Sequence, residues 1–350
     1  MKKELLMATA LVSTLGAASV AQAVTATTSG SMKLGVEFDA PESGVDTQNT
    51  VDLTNFSVAL SETTDGGTTI STSFNIIDEG TSDIGDDDNA LKLTFTDGSA
   101  LEVLNAGNAL GTHDVSIPGA SGEMSVAGTS TNSAPTGLDF AAPSTALGVE
   151  WHSAADFLMD GLKMSASFST DTGAAKAATS RTENSWGLGA TYVTSAGDTA
   201  LTIGGGLSGS EVAVLNTQAA ADDGGFTVGV SAVTGDLTVA VGYADGDTTT
   251  GVASSLNKQV DADVLKAGIK YVTGDITMNV GVVSGTATDN IFGGTDTKTD
   301  SHDEVGASLT YAVASGVSAI MGYTTVDQND EGASDDTGGS SWYIGATMSF

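Results

Sequence analysis

Three histidines, His113, His152 and His302, and two dense runs of carboxylates are the residues of this chain best equipped for chemistry. Imidazoles ligate transition metals and move protons, but no second His or Cys stands at ligand spacing from any of the three. The chain contains no Cys, which removes thiolate sites, disulfides and thiol catalysis together. His152 with Ser153 and Asp156 has the residue types of a hydrolase triad, yet all three fall in one predicted short turn and no nucleophile elbow is present. Gly204-Gly205-Gly206 is followed by no Lys and opens no helical pattern, so it is not a phosphate loop. The carboxylate runs are Asp78-Glu79 with Asp86-Asp87-Asp88, and Asp327, Asp330, Glu331, Asp335 and Asp336. Such oxygen-rich clusters can bind Ca2+, but neither has the spaced ligand pattern of a calcium loop. A solvated, repelling surface is the preferred reading, with structural Ca2+ at Asp86, Asp87 and Asp88 second. The residues thus point away from an enzyme and away from a resident cofactor.

The remaining charges are informative through their parity, which requires strands. From residue 24 onward, stretches alternate apolar with small or polar residues and are broken by turn signals. Sixteen strands are predicted, at about 30–39, 51–62, 68–77, 89–97, 99–107, 145–152, 161–169 and 184–194, then 198–207, 226–234, 236–245, 262–273, 275–284, 303–313, 315–324 and 341–350. Met32, Leu34, Val36 and Phe38 share one face, as do Leu162, Met164, Ala166 and Phe168, and Val305, Ala307, Leu309 and Tyr311. The opposite parity carries Lys33, Glu37, Lys92, Glu102, Glu150, Lys163, Lys266, Lys270 and Glu304 among Ser, Thr and Gly. A Lys on a lipid face near the midplane costs about 2 to 4 kcal/mol, so this consistent placement predicts a wet interior inside an apolar wall. Strand 51–62 breaks the rule: Val51 and Leu53 share one parity and Phe56, Val58 and Leu60 the other, which a bulge or a later start would resolve.

Short turns such as Asp97-Gly98, Thr234-Gly235 and Thr273-Gly274 alternate with long connections rich in Asp, Gly, Ser and Thr. The long set runs at roughly 40–50, 78–88, 108–144, 170–183, 208–225, 246–261, 285–302 and 325–340. GDTALTIG (197–204), GDLTVAVG (235–242) and GDITMNVG (274–281) echo one hairpin unit. At the N-terminus, Lys2 and Lys3, an apolar run from Leu5 to Val20, and Ala21-Gln22-Ala23 form a secretory signal peptide over 1–23, with cleavage after Ala23. The chain ends on SWYIGATMSF, a two-faced strand with a terminal Phe. A formal charge of −33 argues against nucleic acid as a partner.

With a signal peptide, sixteen strands, alternating loop lengths and a C-terminal Phe, the chain resembles the general diffusion porins of Gram-negative bacteria, most closely the alphaproteobacterial type. The resemblance implies an all-β fold, a 16-stranded antiparallel transmembrane β-barrel over 24–350, localised in the outer membrane. It further implies a homotrimer in outer-membrane lipid, a water-filled channel for small hydrophilic solutes, and an inward-folded constriction loop at about 108–144. On that loop stand Asp114, Glu123 and Asp139, and from Leu110 to Ser144 it has no Lys or Arg. In similar porins such acids face a basic wall. Here the wall candidates are Lys33, Lys92 and Lys163, with no Arg, and Glu37 and Glu102 share strands with the first two. A net negative eyelet and a preference for cations follow. The alternative is a secreted acidic β-rich protein of the surface-layer or adhesin type, which explains neither the loop alternation nor the two-faced strands.

Overall fold

A backbone crossing lipid as extended strands can satisfy its hydrogen bonds only by pairing on both edges, all the way round. A computed structural model shows that arrangement. It describes residues 24–41, 45–78, 91–103, 108–119, 148–170, 180–214, 221–251, 257–291, 297–329 and 337–350. Sixteen strands close into one barrel in sequence order, β1 (Thr25–Pro41) pairing with both β2 (Thr47–Thr63) and β16 (Thr337–Ser349). The other strands are β3 (Thr69–Asp78), β4 (Leu91–Thr94), β5 (Ala100–Val103), β6 (Gly148–His152), β7 (Leu162–Thr170), β8 (Ser180–Ala196) and β9 (Thr199–Val214). They continue with β10 (Ala221–Thr234), β11 (Leu237–Gly251), β12 (Asn257–Thr273), β13 (Ile276–Ile291), β14 (Thr297–Ala314) and β15 (Val317–Asn329). All sixteen predicted strands are present, and every pairing is antiparallel.

The faces follow the parity. On β1, Leu34 and Phe38 are 39% and 44% exposed while Glu37 and Asp39 are 5% and 9% exposed. Phe168, Val305 and Tyr311 likewise stand on the outer wall, and Ser165, Ser167 and Ser169 are buried toward the lumen. β2 runs without a break opposite β1, so Val51 and Leu53 keep register with Gly35 and Lys33. The irregularity lies on its other edge, where the pairing with β3 shifts between Phe56 and Ser57.

Two expectations are corrected. Most of the long connections are themselves largely strand: β9 reaches Val214 and β10 begins at Ala221, while β11 ends at Gly251 and β12 begins at Asn257. Asp, Gly and Thr carry no apolar alternation there, but a ladder of backbone hydrogen bonds does not need one. A helix, α1 (Ala109–Thr112), also stands where only loop was expected. Its start is written in Asn108, whose side chain accepts a hydrogen bond from the Gly111 N–H at 3.0 Å.

Candidate functional site: the lumen and its inward segment

The segment 108–119 lies inside the barrel where glycines leave the wall beneath much of its path without side chains. Lumen-facing glycines on five successive strands, Gly189 on β8, Gly204 and Gly206 on β9, Gly229 on β10, Gly242 on β11 and Gly268 on β12, floor its path. A Cβ at Gly229 would stand 2.7 Å from Val115 Cβ, and one at Gly206 2.9 Å from Leu110 Cα. Cβ atoms at Gly189 and Gly268 would meet the Ala109 and Pro118 carbonyl oxygens. Backbone therefore lies against backbone, the close approach that only glycine permits. At the far end Ile117 packs on Val264 and Val283, an apolar pair on the lumen face.

Polar side chains fix the root of the segment. Glu150 on β6 is 3% exposed, accepts the Asn108 N–H at 3.0 Å through Oε2 and the Thr112 hydroxyl at 2.7 Å through Oε1. The Ala109 N–H donates to Ser167 Oγ on β7 at 3.1 Å. These bonds satisfy amides at the start of α1 that have no partner within the helix. The His113 ring packs against the wall, Nδ1 2.8 Å from Thr191 Oγ1 and Nε2 2.8 Å from Ser165 Oγ. Ser165 Oγ is also 2.9 Å from His152 Nδ1. His152 Nε2 stands 3.3 Å from Glu102 Oε1, within ion-pair reach but off the line of a hydrogen bond. Burial between the segment and the wall pushes the His113 imidazole below its ordinary value.

The site residues expected from sequence distribute as follows. Asp114 follows α1 and accepts a hydrogen bond from Thr227 on β10, so one of its oxygens is tied to the wall. Glu123 and Asp139 lie outside the described residues, as do Asp86, Asp87 and Asp88. Lys92 and Glu102 sit opposite each other on β4 and β5 and form an ion pair at 2.5 Å. Lys33 and Glu37 are on β1, seven strands from β10 one way round the barrel and nine the other. Lys33 Nζ lies 5.7 Å from the centroid of Tyr343, whose ring is flat against Gly35 and Gly345 and whose hydroxyl donates to the Leu34 carbonyl at 3.2 Å. Lys33 and Glu37 therefore occupy the wall across from the segment carrying Asp114.

Sequence reasoning placed Glu150 on the inner face but gave it no task, and it weighed the histidines only as ligands or catalysts. The joining signal is tertiary, because Ser165, Thr191, Glu150 and His113 stand on four different elements.

A family model described as Gram-negative porin matches residues 8–331. No curated protein matches the sequence. Among solved structures, a porin refined at 1.8 Å resolution is similar with a TM-score of 0.62 at 18% identity, over 93% of this chain and 100% of that one. An anion-selective porin from Comamonas acidovorans gives 0.63 at 9% identity, again over 93% and 100%. OmpT, an outer membrane protein of Vibrio cholerae in its trimer form, gives 0.59 at 14% identity, over 93% of this chain and 99% of its own.

Proposed function

The chain belongs to the Gram-negative porin family, and from that premise we propose that it is a non-enzymatic, cation-preferring pore for passive diffusion of ions and small hydrophilic solutes. Family and fold together make it an outer-membrane β-barrel channel. The same barrel fold is shared with an anion-selective porin, so the sign of the preference must come from this chain's own charges.

The observation that carries the reading is how those charges are disposed. Glu37, Asp39, Glu150 and Asp223 are buried lumen-side carboxylates, and the inward segment 108–119 adds Asp114 with no Lys or Arg. Lys92 is committed to Glu102, and Lys33 lies on the same strand face as Glu37. Among the residues whose side chains are described, Lys163, Lys266 and Lys270 remain as lumen cations against a chain of formal charge −33. Fixed negative charge in a channel with low-dielectric walls raises local cation concentration. Reversal potential in planar bilayers under a salt gradient reads the preference directly. Cation preference is expected; anion preference would overturn it. Neutralising Asp114, Glu123 and Asp139 together should reduce the preference.

The functional unit is read as a homotrimer in outer-membrane lipid, supported by the trimer form of a fold neighbour. Residues 1–23 are read as a cleaved signal peptide, which would start the mature chain at Val24, one residue before β1. The run Asp86 to Asp88 is read as solvated surface; a thermal transition lowered by a chelator would instead assign it Ca2+.

A further inference from the structure

One connection at the short-turn end of the barrel differs in length and chemistry from its neighbours. Gly197-Asp198, Gly235-Asp236 and Gly274-Asp275 join their strands with two small or acidic residues each. β6 and β7 are joined instead by nine residues, from Ser153 after His152 to Gly161 before Leu162. At its tip stand Phe157, Leu158 and Met159, which are 44%, 71% and 53% exposed. Contiguous apolar side chains of this kind mark a surface that something covers.

The tip is held rigidly in that exposed position. Asp156, alone among the described non-glycine residues, takes a left-handed backbone (φ +59°), which Asp tolerates, and its Oδ1 accepts the Gly161 N–H at 2.6 Å. The Phe157 N–H donates to the Leu162 carbonyl and the Leu162 N–H to the Met159 carbonyl, both at 3.1 Å. At the base, the Ser153 N–H donates to the Met164 carbonyl at 2.8 Å, and the Met164 N–H returns a bond to Ser153 Oγ at 2.9 Å. From β8, the Val193 N–H donates to the Gly161 carbonyl at 2.9 Å.

Position identifies the cover. Leu162 stands opposite Tyr192, as Leu237 stands opposite Tyr271 and Ile276 opposite Tyr311, a row of tyrosines around the same end of the barrel. Tyrosines at the rim of an apolar wall mark the membrane–water interface, and short turns lie on its periplasmic side. The tip projects from Leu162 and so lies at that level. It also continues the outer wall: the Phe157 ring meets Trp151 edge-on, with centroids 5.5 Å apart at 74°, and Trp151 shares the outward face with its cross-strand partners Leu101 and Ala166. Asp156 and Asp160 flank the tip, and a charge near the interface costs far less than one at the bilayer centre.

We propose that residues 154–161 form a membrane finger: Phe157, Leu158 and Met159 enter the headgroup–acyl boundary of phospholipids in the periplasmic leaflet and fix the depth of β6 and β7. Those two strands carry Glu150, Ser165 and Ser167, so the finger anchors the part of the wall in which the inward segment is rooted. The assignment rests on the outer-membrane reading of the barrel.

Because the chain has no Cys, single cysteines can carry an environment-sensitive NBD fluorophore on the full-length barrel in vesicles of phosphatidylethanolamine and phosphatidylglycerol. Leu158→Cys reports the tip, Leu188→Cys an outer-wall position that is 48% exposed, and Asp236→Cys a polar turn at the same end. Nitroxide-labelled lipid quenches a dye in contact with lipid, and acrylamide on both sides of the bilayer quenches one in contact with water. The Leu158 label should be quenched by the lipid nitroxide and emit at shorter wavelength than the Asp236 label, which acrylamide should quench. With the dye moved to Ala155→Cys, the double change Leu158→Ser and Met159→Ser should reduce the lipid quenching, because the native side chains and not the dye seek the bilayer. A tip quenched by acrylamide, a tip shielded from both quenchers by another protein or a second copy, or undiminished lipid quenching in the Ser variant overturns the finger. Absence of lipid quenching at Leu188 as well would overturn the membrane reading itself, so the two failures are told apart.

Discussion

Glu150 shows how one buried carboxylate can fix the geometry of a channel. Its two oxygens hold the start of α1 through Asn108 and the end through Thr112, from a strand that the sequence separates from them by about forty residues. Hydrogen bonds to a charged group are worth about 1.5 to 3 kcal/mol each, and removing the acceptor leaves the Asn108 N–H without it. Glu150→Ala should therefore loosen the segment and raise single-channel conductance, while Glu150→Gln, which keeps an acceptor, should lie between it and wild type. Equal conductance in all three would show that the glycine floor alone seats the segment. From sequence, the parity of Glu150 was legible and its partners were not. The same holds for the histidines, whose isolation along the chain hid the hydroxyls that the fold brings to them.

At the scale of elements, the short turns and the inner wall depend on glycine for different reasons. Gly197, Gly235 and Gly274 open the three echoed hairpins at φ +62°, +56° and +58°, with the following Asp at negative φ, which fits a type II′ turn. A Cβ at any of them would meet nothing within 4 Å, so Gly→Ala costs backbone strain alone, about 1 to 2 kcal/mol per turn. The costs should add, since the turns join different strand pairs, and thermal unfolding in detergent would show a stepwise loss across single, double and triple variants. In contrast, Gly189→Val should leave the barrel heat-modifiable yet displace the segment, because its Cβ would meet the Ala109 carbonyl. The turns were legible because Gly-Asp is local chemistry. The inner glycines were not, since a small residue on an inner face looks the same whether it touches water or another stretch of backbone. The extension of β9 to β13 into Asp- and Thr-rich sequence escaped notice for a related reason: alternation reports an apolar face, and these strand ends have none.

The whole molecule is closed by its two ends. Phe350 and Gly30 exchange two backbone hydrogen bonds of 3.1 Å, and the Phe350 ring lies over Gly30, 6.3 Å from the ring of Phe56. An open edge within lipid would leave a row of unpaired amides, which the bilayer cannot satisfy. Deleting Phe350 should lower the temperature at which the folded band is lost on gels, by an amount consistent with about 1 to 3 kcal/mol for the bonds removed. Phe350→Leu, which keeps the backbone pairing, should cost less; no difference between deletion and wild type would remove the closing role of the last residue. By itself the sequence determined the sixteen strands, the faces they present, the order of short and long connections and the acidic balance, because period-two alternation, turn residues and net charge are properties of contiguous chain. Only the tertiary structure decided that Lys92 is neutralised by Glu102, that glycines on five strands line up into one floor, and that two histidines share a single serine hydroxyl. Those facts depend on register and curvature around a closed sheet, where residues far apart in sequence become neighbours through pairings that no local pattern specifies.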